Sequence, residues 1–212
     1  MYETPPELPP PTMVDLSFDL GFEASGAALA RDYRRVLSAA LQRALPWLAD
    51  TPGAAVHRLN LPAGGGEQAP LSRRTRLTLR VPVERAAEAE ALAGLALEIG
   101  ATALRLGRPR RRELLPFGTL YAHFVAFDGD DEVAFLTEVE QQLDALAVRA
   151  RAICGRRHAI EGGALQGFSL MLDGLTPADA LRVLERGLGP HRELGCGVFV
   201  PHKSAAAVGM PS

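Results

Sequence analysis

The order of strand-like and helix-like segments constrains the fold of this chain most strongly, because the same order occurs twice. In the first pass, apolar and polar residues alternate as in half-buried strands, and apolar residues at steps of three and four indicate an amphipathic helix. The predicted elements are strands at Met13–Phe22, Ala54–Leu61 and Leu71–Val83, helices at Gly26–Leu48 and Arg85–Ile99, and a strand that begins at Ala101.

The second pass begins at Thr119 and repeats this order. It comprises a strand at Thr119–Phe127, a helix at Glu132–Val148, strands at 151–160 and 163–172, a helix that Thr176 can cap, and a last strand after Gly197. We therefore predict an α+β fold of two tandem ferredoxin-like (RRM-like, β-α-β-β-α-β) domains at 13–115 and 117–203. A Pro-rich lead-in (1–12) and a flexible tail (204–212) are expected to flank them.

Charge is unevenly distributed along the chain. The net charge of the 212 residues is only -2, which argues against a protein that binds nucleic acid through charge alone. However, Leu71–Leu115 holds ten arginines and five glutamates, whereas Asp128–Asp144 holds seven acidic residues and no basic one. The arginine guanidinium suits phosphate, so the basic segment is a candidate for binding a phosphate-rich partner.

The segment ERGLGPHRELGCGVFVPHK (Glu185–Lys203) contains two G-x-G pairs separated by five residues. It lacks the G-K-[ST] ending of a Walker loop, and it follows a predicted helix, whereas a dinucleotide fingerprint opens one. Glycines here can end a helix or kink a strand, but they can also bring main-chain amides close to phosphate. We expect the glycine loop to expose such amides, with His191 and Arg192 adding positive charge.

This G-Φ-G-x5-G-x-G pattern before the last strand resembles the glycine-rich loop of the RAMP superfamily. The chain resembles most closely the sixth Cas family, in its myxan-type (Cmx) branch, through this loop and through RALPWL (Arg43–Leu48), LSRRTRLTLRVP (Leu71–Pro82) and TLYA (Thr119–Ala122). The resemblance implies a metal-independent endoribonuclease that cuts CRISPR repeat RNA. The ribose 2′-OH attacks the adjacent phosphorus and leaves a 2′,3′-cyclic phosphate.

The same resemblance implies a catalytic histidine in the first helix or just after it, but the helix carries Tyr33 where related sequences carry histidine. His57, just beyond the helix, is then the leading acid–base candidate, although a strand histidine without a role is equally compatible with its position. Tyr33 is the second candidate; it shares an apolar stripe, so core packing is the alternative. Arg58 could hold the charge of the transition state. We interpret His123, which alternates with Tyr121, as part of an ordinary sheet face.

Basic residues and the glycine loop make up the predicted RNA-binding set. A solvated sheet face is the ordinary alternative for the arginines, but their density fits the backbone of an RNA hairpin. The set is Arg73, Arg74, Arg76, Arg80, Arg108, Arg110, Arg111, Arg156, Arg157, Gly187, Gly189, His191, Arg192, Gly195, Gly197 and Lys203.

We predict no cofactor and no metal, since Cys154 and Cys196 have no metal-site spacing and the family reaction needs none. No apolar run is long enough for a membrane span and no signal-peptide pattern is present, so a cytoplasmic protein is expected. The implied partner is CRISPR repeat RNA, as precursor and as mature CRISPR RNA. Other Cas effector-complex subunits are a further option, and a monomer and a homodimer are both compatible with the sequence. A RAMP-type subunit that binds CRISPR RNA without cutting it, and a tandem ferredoxin-like regulator of a small ligand, are the alternatives.

Overall fold

The computed structural model describes residues 9–22, 27–62, 64 and 66–202. Most of the predicted lead-in, Lys203 and the predicted tail lie outside these residues. The N-terminal half contains strands β1 (Met13–Gly21), β2 (Ala28–Ala30), β3 (Ala55–Val56), β4 (Gln68–Pro70), β5 (Arg76–Pro82), β6 (Ala96–Ile99) and β7 (Thr102–Glu113), and helices α1 (Arg34–Ala44) and α2 (Ala86–Glu90). The C-terminal half contains β8 (Thr119–Ala126), β9 (Arg151–Ile160), β10 (Leu165–Asp173) and β11 (Phe199–Pro201), and helices α3 (Glu132–Ala145) and α4 (Pro177–Arg186).

Each half builds an antiparallel sheet, in the order β3-β5-β1-β7-β6 in the N-terminal half and β11-β8-β10-β9 in the C-terminal half. If the edge strand β6 is set aside, both sheets have the fourth, first, third and second strands side by side. This is the arrangement of a ferredoxin-like β-α-β-β-α-β unit, so the predicted tandem fold is confirmed.

Strict alternation along β1 explains why the N-terminal sheet has one apolar and one polar face. Leu16 and Phe18 are fully buried in a core shared with α1, whereas Ser17 and Asp19, which alternate with them, lie on the opposite face. In the paired strand β5, Thr78 stands opposite Ser17 and its hydroxyl donates to the Ser17 Oγ over 3.0 Å. Among the described residues of this half, α1 and α2 pack on the apolar face, so the polar face is left to contact the C-terminal half and other molecules.

The C-terminal core forms in the same way. Leu120 and Ala122 of β8 pack with Phe135 and Val139 of α3, and the apolar side of α4 covers the rest of that face. Helix α4 begins at the predicted cap, because the Thr176 hydroxyl accepts a hydrogen bond from the Asp179 amide. Among the described residues, every helix is too short or too polar to cross a bilayer.

Two of the predicted helices are partly wrong. Helix α1 starts at Arg34, because Ala28–Ala30 pairs with Gln68–Pro70, a segment expected to be a loop. The predicted helix at 85–99 ends after the short α2, and Ala96–Ile99 forms a hairpin with the start of β7. Both errors come from apolar residues whose spacing fits a helix and a strand equally over so few positions.

The two halves pack against each other through buried polar contacts. Arg80 of β5 is 1% exposed, and its Nη1 donates to the carbonyl oxygens of Leu184 (2.7 Å) and Phe199 (3.1 Å) in the C-terminal half. Its Nε and Nη2 donate to the two carboxylate oxygens of Asp15 at 2.8 and 2.9 Å. Arg80 therefore connects β1 to the end of α4 and to β11.

Candidate functional site

A small cavity lies between the two halves at the end of β3. We call it the junction cavity; its volume is about 200 Å³. His57 and Arg58 line it from the N-terminal half, and Tyr121 and His123 of β8 line it from the C-terminal half. Gly195 of the glycine loop also contributes to its wall. Two imidazoles, a guanidinium and a phenol are therefore gathered around one small space.

A second cavity, the arginine groove, runs over the polar face of the N-terminal sheet and has a volume of about 330 Å³. The strand register explains its composition, because Arg110 and Arg112 of β7 stand opposite Ser17 and Asp15 and so share their face. The groove is lined by Ser17, Asp19, His57, Arg58, Asn60, Arg74, Arg76, Thr78, Arg110 and Arg112.

A third cavity, the inter-sheet cleft of about 600 Å³, lies between the start of α1, the segment after β3 and the end of β9. Its lining includes Tyr33, Arg34, Arg58 and Asn60 from the N-terminal half and Ile160 from the C-terminal half. Arg58 lines the junction cavity, the arginine groove and the inter-sheet cleft alike. Its exposed guanidinium is thus placed to hold an anion where the three cavities meet.

His57 is held in a buried charged cluster at the floor of the junction cavity. Its side chain is 14% exposed, and its Nε2 lies 3.4 Å from Asp15 Oδ1, on the carboxylate that also pairs with Arg80. Burial lowers the pKa of His57, and the Asp15 carboxylate acts in the opposite direction. With Asp15 behind Nε2, Nδ1 is the ring nitrogen left for a bound molecule.

Tyr33 precedes α1 and is buried, with 6% of its surface exposed. Its phenol oxygen accepts a hydrogen bond of 2.8 Å from the Leu59 amide, next to Arg58. Burial raises the pKa of Tyr33, so its hydroxyl stays protonated at neutral pH. The phenol fixes the segment that carries Arg58 and also borders the inter-sheet cleft.

Comparison with known proteins identifies the family. The Cas6 CRISPR family model matches residues 18–204. The chain belongs to the Cas6 family. A CRISPR-associated endonuclease Cas6 from Myxococcus xanthus strain DK1622 is 37% identical over 193 residues, which cover 90% of this chain and 84% of the relative.

Solved structures of Cas6 proteins share the fold at low sequence identity. A CRISPR-associated Cas6 protein matches with a TM-score of 0.64 at 8% identity, covering 90% of this chain and all of the other. A Cas6-related protein from Pyrococcus furiosus matches with a TM-score of 0.63 at 12% identity, covering 89% of this chain and 98% of the other. At these identities, the matches support the tandem fold of this Cas6-family chain and leave its site to be argued from its own residues.

Two arginines of the predicted RNA-binding set are structural in this Cas6 chain. Arg80 was expected to share an RNA-facing surface with Arg74 and Arg76, but its guanidinium is enclosed between the halves. Arg192 points inward as well and donates to the carbonyl oxygens of Gly197 and Gly53, both at 2.9 Å. Burial, followed by repulsion from Arg80, lowers the pKa of Arg192 to about 9, so it remains charged at neutral pH.

The expectation that the glycine loop exposes free amides is wrong. Gly187 donates to the Val183 carbonyl, Gly197 donates to the Phe124 carbonyl, and Leu188 donates back to the Gly197 carbonyl. The amides of the other two glycines of the motif are likewise bonded within the protein, that of Gly189 to the Gln142 side chain.

Close backbone contact explains the need for glycine in this loop. A Cβ on Gly197, whose φ is +62°, would lie 1.7 Å from the Leu188 carbonyl oxygen, and one on Gly195 would lie 3.0 Å from that of Val56. The loop therefore packs against β3 and builds a wall of the junction cavity.

The other predicted RNA-binding residues lie at the surface. Arg74, Arg76 and Arg110 line the arginine groove, whereas Arg111 stands opposite Leu16 and so points to the other face of the sheet. The remaining exposed members are Arg73, Arg108, Arg156, Arg157 and His191. Lys203 lies outside the described residues.

Three residues near the site were absent from the predicted set. Arg34 is buried, and its Nη1 donates to the Leu194 carbonyl over 2.6 Å, directly beside the glycine loop. His123 faces Arg58 across the junction cavity, and the His158 ring lies beside it with centroids 5.2 Å apart. Helix α3 separates the strands of His123 and His158 in the sequence, so only the sheet brings the two residues together. Their predicted places in the first and second strands of one ferredoxin-like unit, which lie two strands apart in its sheet, were the signal that could have linked them.

Proposed function

We propose that the chain cuts CRISPR repeat RNA at the junction cavity, by attack of the ribose 2′-OH on the adjacent phosphorus. The products are a 2′,3′-cyclic phosphate and a 5′-hydroxyl, and the residues of the cavity perform the reaction without a metal ion. The observation that carries this proposal is the position of Arg58, where the three cavities meet beside His57. Its 37% identical relative is an endonuclease, which supports the same activity here.

The reaction requires positive charge at the phosphorane and two proton transfers, one from the 2′-oxygen and one to the 5′-oxygen. Arg58 supplies the charge, because its exposed guanidinium borders every cavity that an RNA strand through this site would occupy. His57 performs one of the proton transfers through Nδ1, and Asp15 holds its ring from behind. Tyr33 acts as a positioning residue through its hydrogen bond to the Leu59 amide.

The arginine groove is the proposed path of the RNA toward the cut. Its guanidinium groups, those of Arg74, Arg76, Arg110 and Arg112, lie on one face of the sheet and lead to Arg58. Contacts of this kind bind the phosphate backbone and do not read the base sequence, which suits a folded repeat hairpin. Arg73 and Arg108 extend the basic surface at its rim, and the exposed Arg156, Arg157 and His191 add positive groups on the C-terminal half.

Both precursor and mature CRISPR RNA are proposed partners, because the groove holds RNA on the same side of the cut before and after cleavage. We extend the proposal to a protein that acts in the cytoplasm, as a monomer or homodimer. Association with other Cas effector-complex subunits belongs to the same proposal and is tested by co-purification of the mature RNA–protein complex.

The decisive experiment incubates the protein with synthetic RNA of the CRISPR repeat encoded beside the gene, in excess EDTA. We expect cleavage at one site, with a 2′,3′-cyclic phosphate on the upstream product. His57→Ala should lower the single-turnover rate by about 10²–10⁴-fold, the usual contribution of an acid–base group. His202→Ala, which changes a histidine that follows β11 and does not line the junction cavity, is the matched control.

Three results would contradict this proposal. Tight binding of the repeat without cleavage would indicate an inactive RNA-binding subunit. Absence of binding would exclude an RNA function for the arginine groove. An unchanged rate for the correctly folded His57→Ala protein would remove His57 from the reaction, with folding checked by thermal unfolding.

A further inference from the structure

The proposed reaction leaves one proton transfer without a residue, and the C-terminal half supplies a candidate. His123 of β8 lies opposite His57 and Arg58 in the junction cavity. It is exposed, so a ribose bound at Arg58 can reach it, whereas His57 is mostly enclosed. The two imidazoles therefore approach the cavity from opposite halves of the molecule.

His123 lies on the same face of β8 as Tyr121, which also lines the cavity, and an irregularity in the sheet follows it directly. Between the pairs Leu170–Ala122 and Phe168–Val125, Ser169 stands opposite both His123 and Phe124. This bulge moves Phe124 out of the main C-terminal core and into a small apolar cluster with Leu194 and Cys196 of the glycine loop. Bulges commonly reorient a side chain beside a functional site, and this one places Phe124 against the glycine loop directly after His123.

His158 of β9 fixes this arrangement. Its Nε2–H donates to the His123 carbonyl oxygen over 3.0 Å, which spans the sheet beside the bulge. Its ring lies 5.2 Å from the His123 ring and 5.3 Å from the Phe124 ring, between centroids. His158 thus hydrogen-bonds to the backbone of His123 and packs against its ring, which holds the ring in a fixed position as an acid–base group requires.

The charges around His123 favour its neutral form. Burial has the largest effect on the pKa of His123, followed by the positive charges of Arg58, His158 and Arg34. Together they lower this pKa to about 4. A neutral imidazole has a free nitrogen lone pair at neutral pH and can accept a proton. Burial lowers the pKa of His57 as well, but the Asp15 carboxylate, 3.4 Å from its Nε2, opposes that shift, and His123 has no such carboxylate among the causes of its own shift.

We propose that His123 is a catalytic residue that accepts the proton of the attacking 2′-OH. As the 2′-oxygen forms its bond to phosphorus, its proton passes to the His123 ring. The bond from phosphorus to the 5′-oxygen then breaks, and His57 donates a proton to that oxygen. Charge is conserved, and the histidines exchange protonation states until solvent restores them. A phosphate at Arg58 adds to the effect of Asp15 in favouring the His57 imidazolium.

This inference rests on the proposed function, and its first test is a single-turnover assay of the same repeat RNA in EDTA. We expect His123→Ala and His123→Gln to lower the rate by about 10²–10⁴-fold. The dissociation constant of both variants for repeat RNA with a 2′-deoxyribose at the cut should stay within about threefold of the wild-type value. His202→Ala, on the same side of the sheet beside Tyr121, should cut normally. Imidazole in the buffer should restore part of the His123→Ala rate.

A substrate with sulfur in place of the 5′-bridging oxygen separates the two histidines. A thiolate leaves without a proton, so this substrate should be cut quickly by His57→Ala and slowly by His123→Ala. Rescue of both variants, or of His123→Ala alone, would overturn the assignment of His123 as the base. If wild type cuts the repeat and both His123 variants cut it equally fast, only this inference fails. If wild type does not cut, the proposed function itself fails.

Discussion

Replacing Arg80 with methionine tests whether this arginine belongs to the fold or to the RNA-binding surface. Methionine keeps most of the buried volume but removes the guanidinium. The change breaks two hydrogen bonds to Asp15 and two to the carbonyl oxygens of Leu184 and Phe199, all between buried or half-buried groups. Breaking one partner of a buried ion pair typically costs about 3–5 kcal/mol, which we expect as the loss in unfolding free energy.

Arg76 provides the matched control on the same strand and the same face. Its Nε pairs with Asp19 over 2.5 Å, but the two side chains are 35% and 46% exposed, so solvent screens this pair far more than that of Arg80. An exposed pair contributes about 0–1 kcal/mol, so Arg76→Met should barely change stability. Because Arg76 lines the arginine groove, Arg76→Met should remove one phosphate contact. The slope of the logarithm of RNA affinity against the logarithm of salt concentration should then decrease in magnitude by about one.

Urea unfolding followed by circular dichroism measures the first effect, and RNA binding over a salt series measures the second. At a temperature where Arg80→Met is folded, we expect its RNA affinity and salt slope to match wild type. If Arg80→Met were as stable as wild type and instead lost RNA affinity, the structural assignment of Arg80 would be refuted. A second substitution, Asp15→Leu, should recover part of the lost stability because no buried charge then remains unpaired.

Three further predictions concern the glycine loop, the buried carboxylate and the phosphate site. Gly197→Ala should destabilise the protein and lower its thermal unfolding midpoint clearly, because the new Cβ would meet the Leu188 carbonyl; an unchanged midpoint would contradict the close packing. Although burial opposes the shift, His57 and Arg80 hold the pKa of Asp15 well below its ordinary value. The contribution of Asp15 to the unfolding free energy should therefore be constant at neutral pH and be lost as the pH drops below about 4, and Asp15→Asn should flatten the pH dependence below that value in acid urea titrations. Arg58→Ala should slow cleavage much more than it weakens RNA binding. Arg112→Ala should weaken RNA binding and leave the single-turnover rate at saturating RNA near the wild-type value. If each variant changed both quantities equally, the separation of the phosphate site at Arg58 from the arginine groove would be contradicted.

The sequence predicted the tandem fold well because the decisive signals are local. Alternation in β1 and β5, the cap at Thr176 and the amphipathic face of α4 each specify one element and agree with one topology. The errors fall where a few residues fit two periods. Ala28–Ala30 and Ala96–Ile99 become strands because each has an edge to pair with, which a local pattern does not reveal.

The site was harder to predict because it depends on contacts between the halves. An arginine on an alternating strand looks the same whether its face meets solvent, as at Arg76, or another sheet, as at Arg80. Glycines that admit a phosphate and glycines that admit a neighbouring carbonyl also leave the same sequence pattern. His57 and Arg58 were found because they follow the first helix, whereas the surroundings of His123 depend on packing between the halves and on His158 in another strand.

The most direct test of this account is the structure of the protein bound to repeat RNA with a 2′-deoxyribose at the cut, which prevents the reaction. We predict the scissile phosphate within hydrogen-bond distance of the Arg58 guanidinium, with the modified ribose facing His123 and the RNA backbone along the arginine groove. A scissile phosphate bound elsewhere, with the junction cavity empty, would contradict the central claim that this cavity is where the RNA is cut.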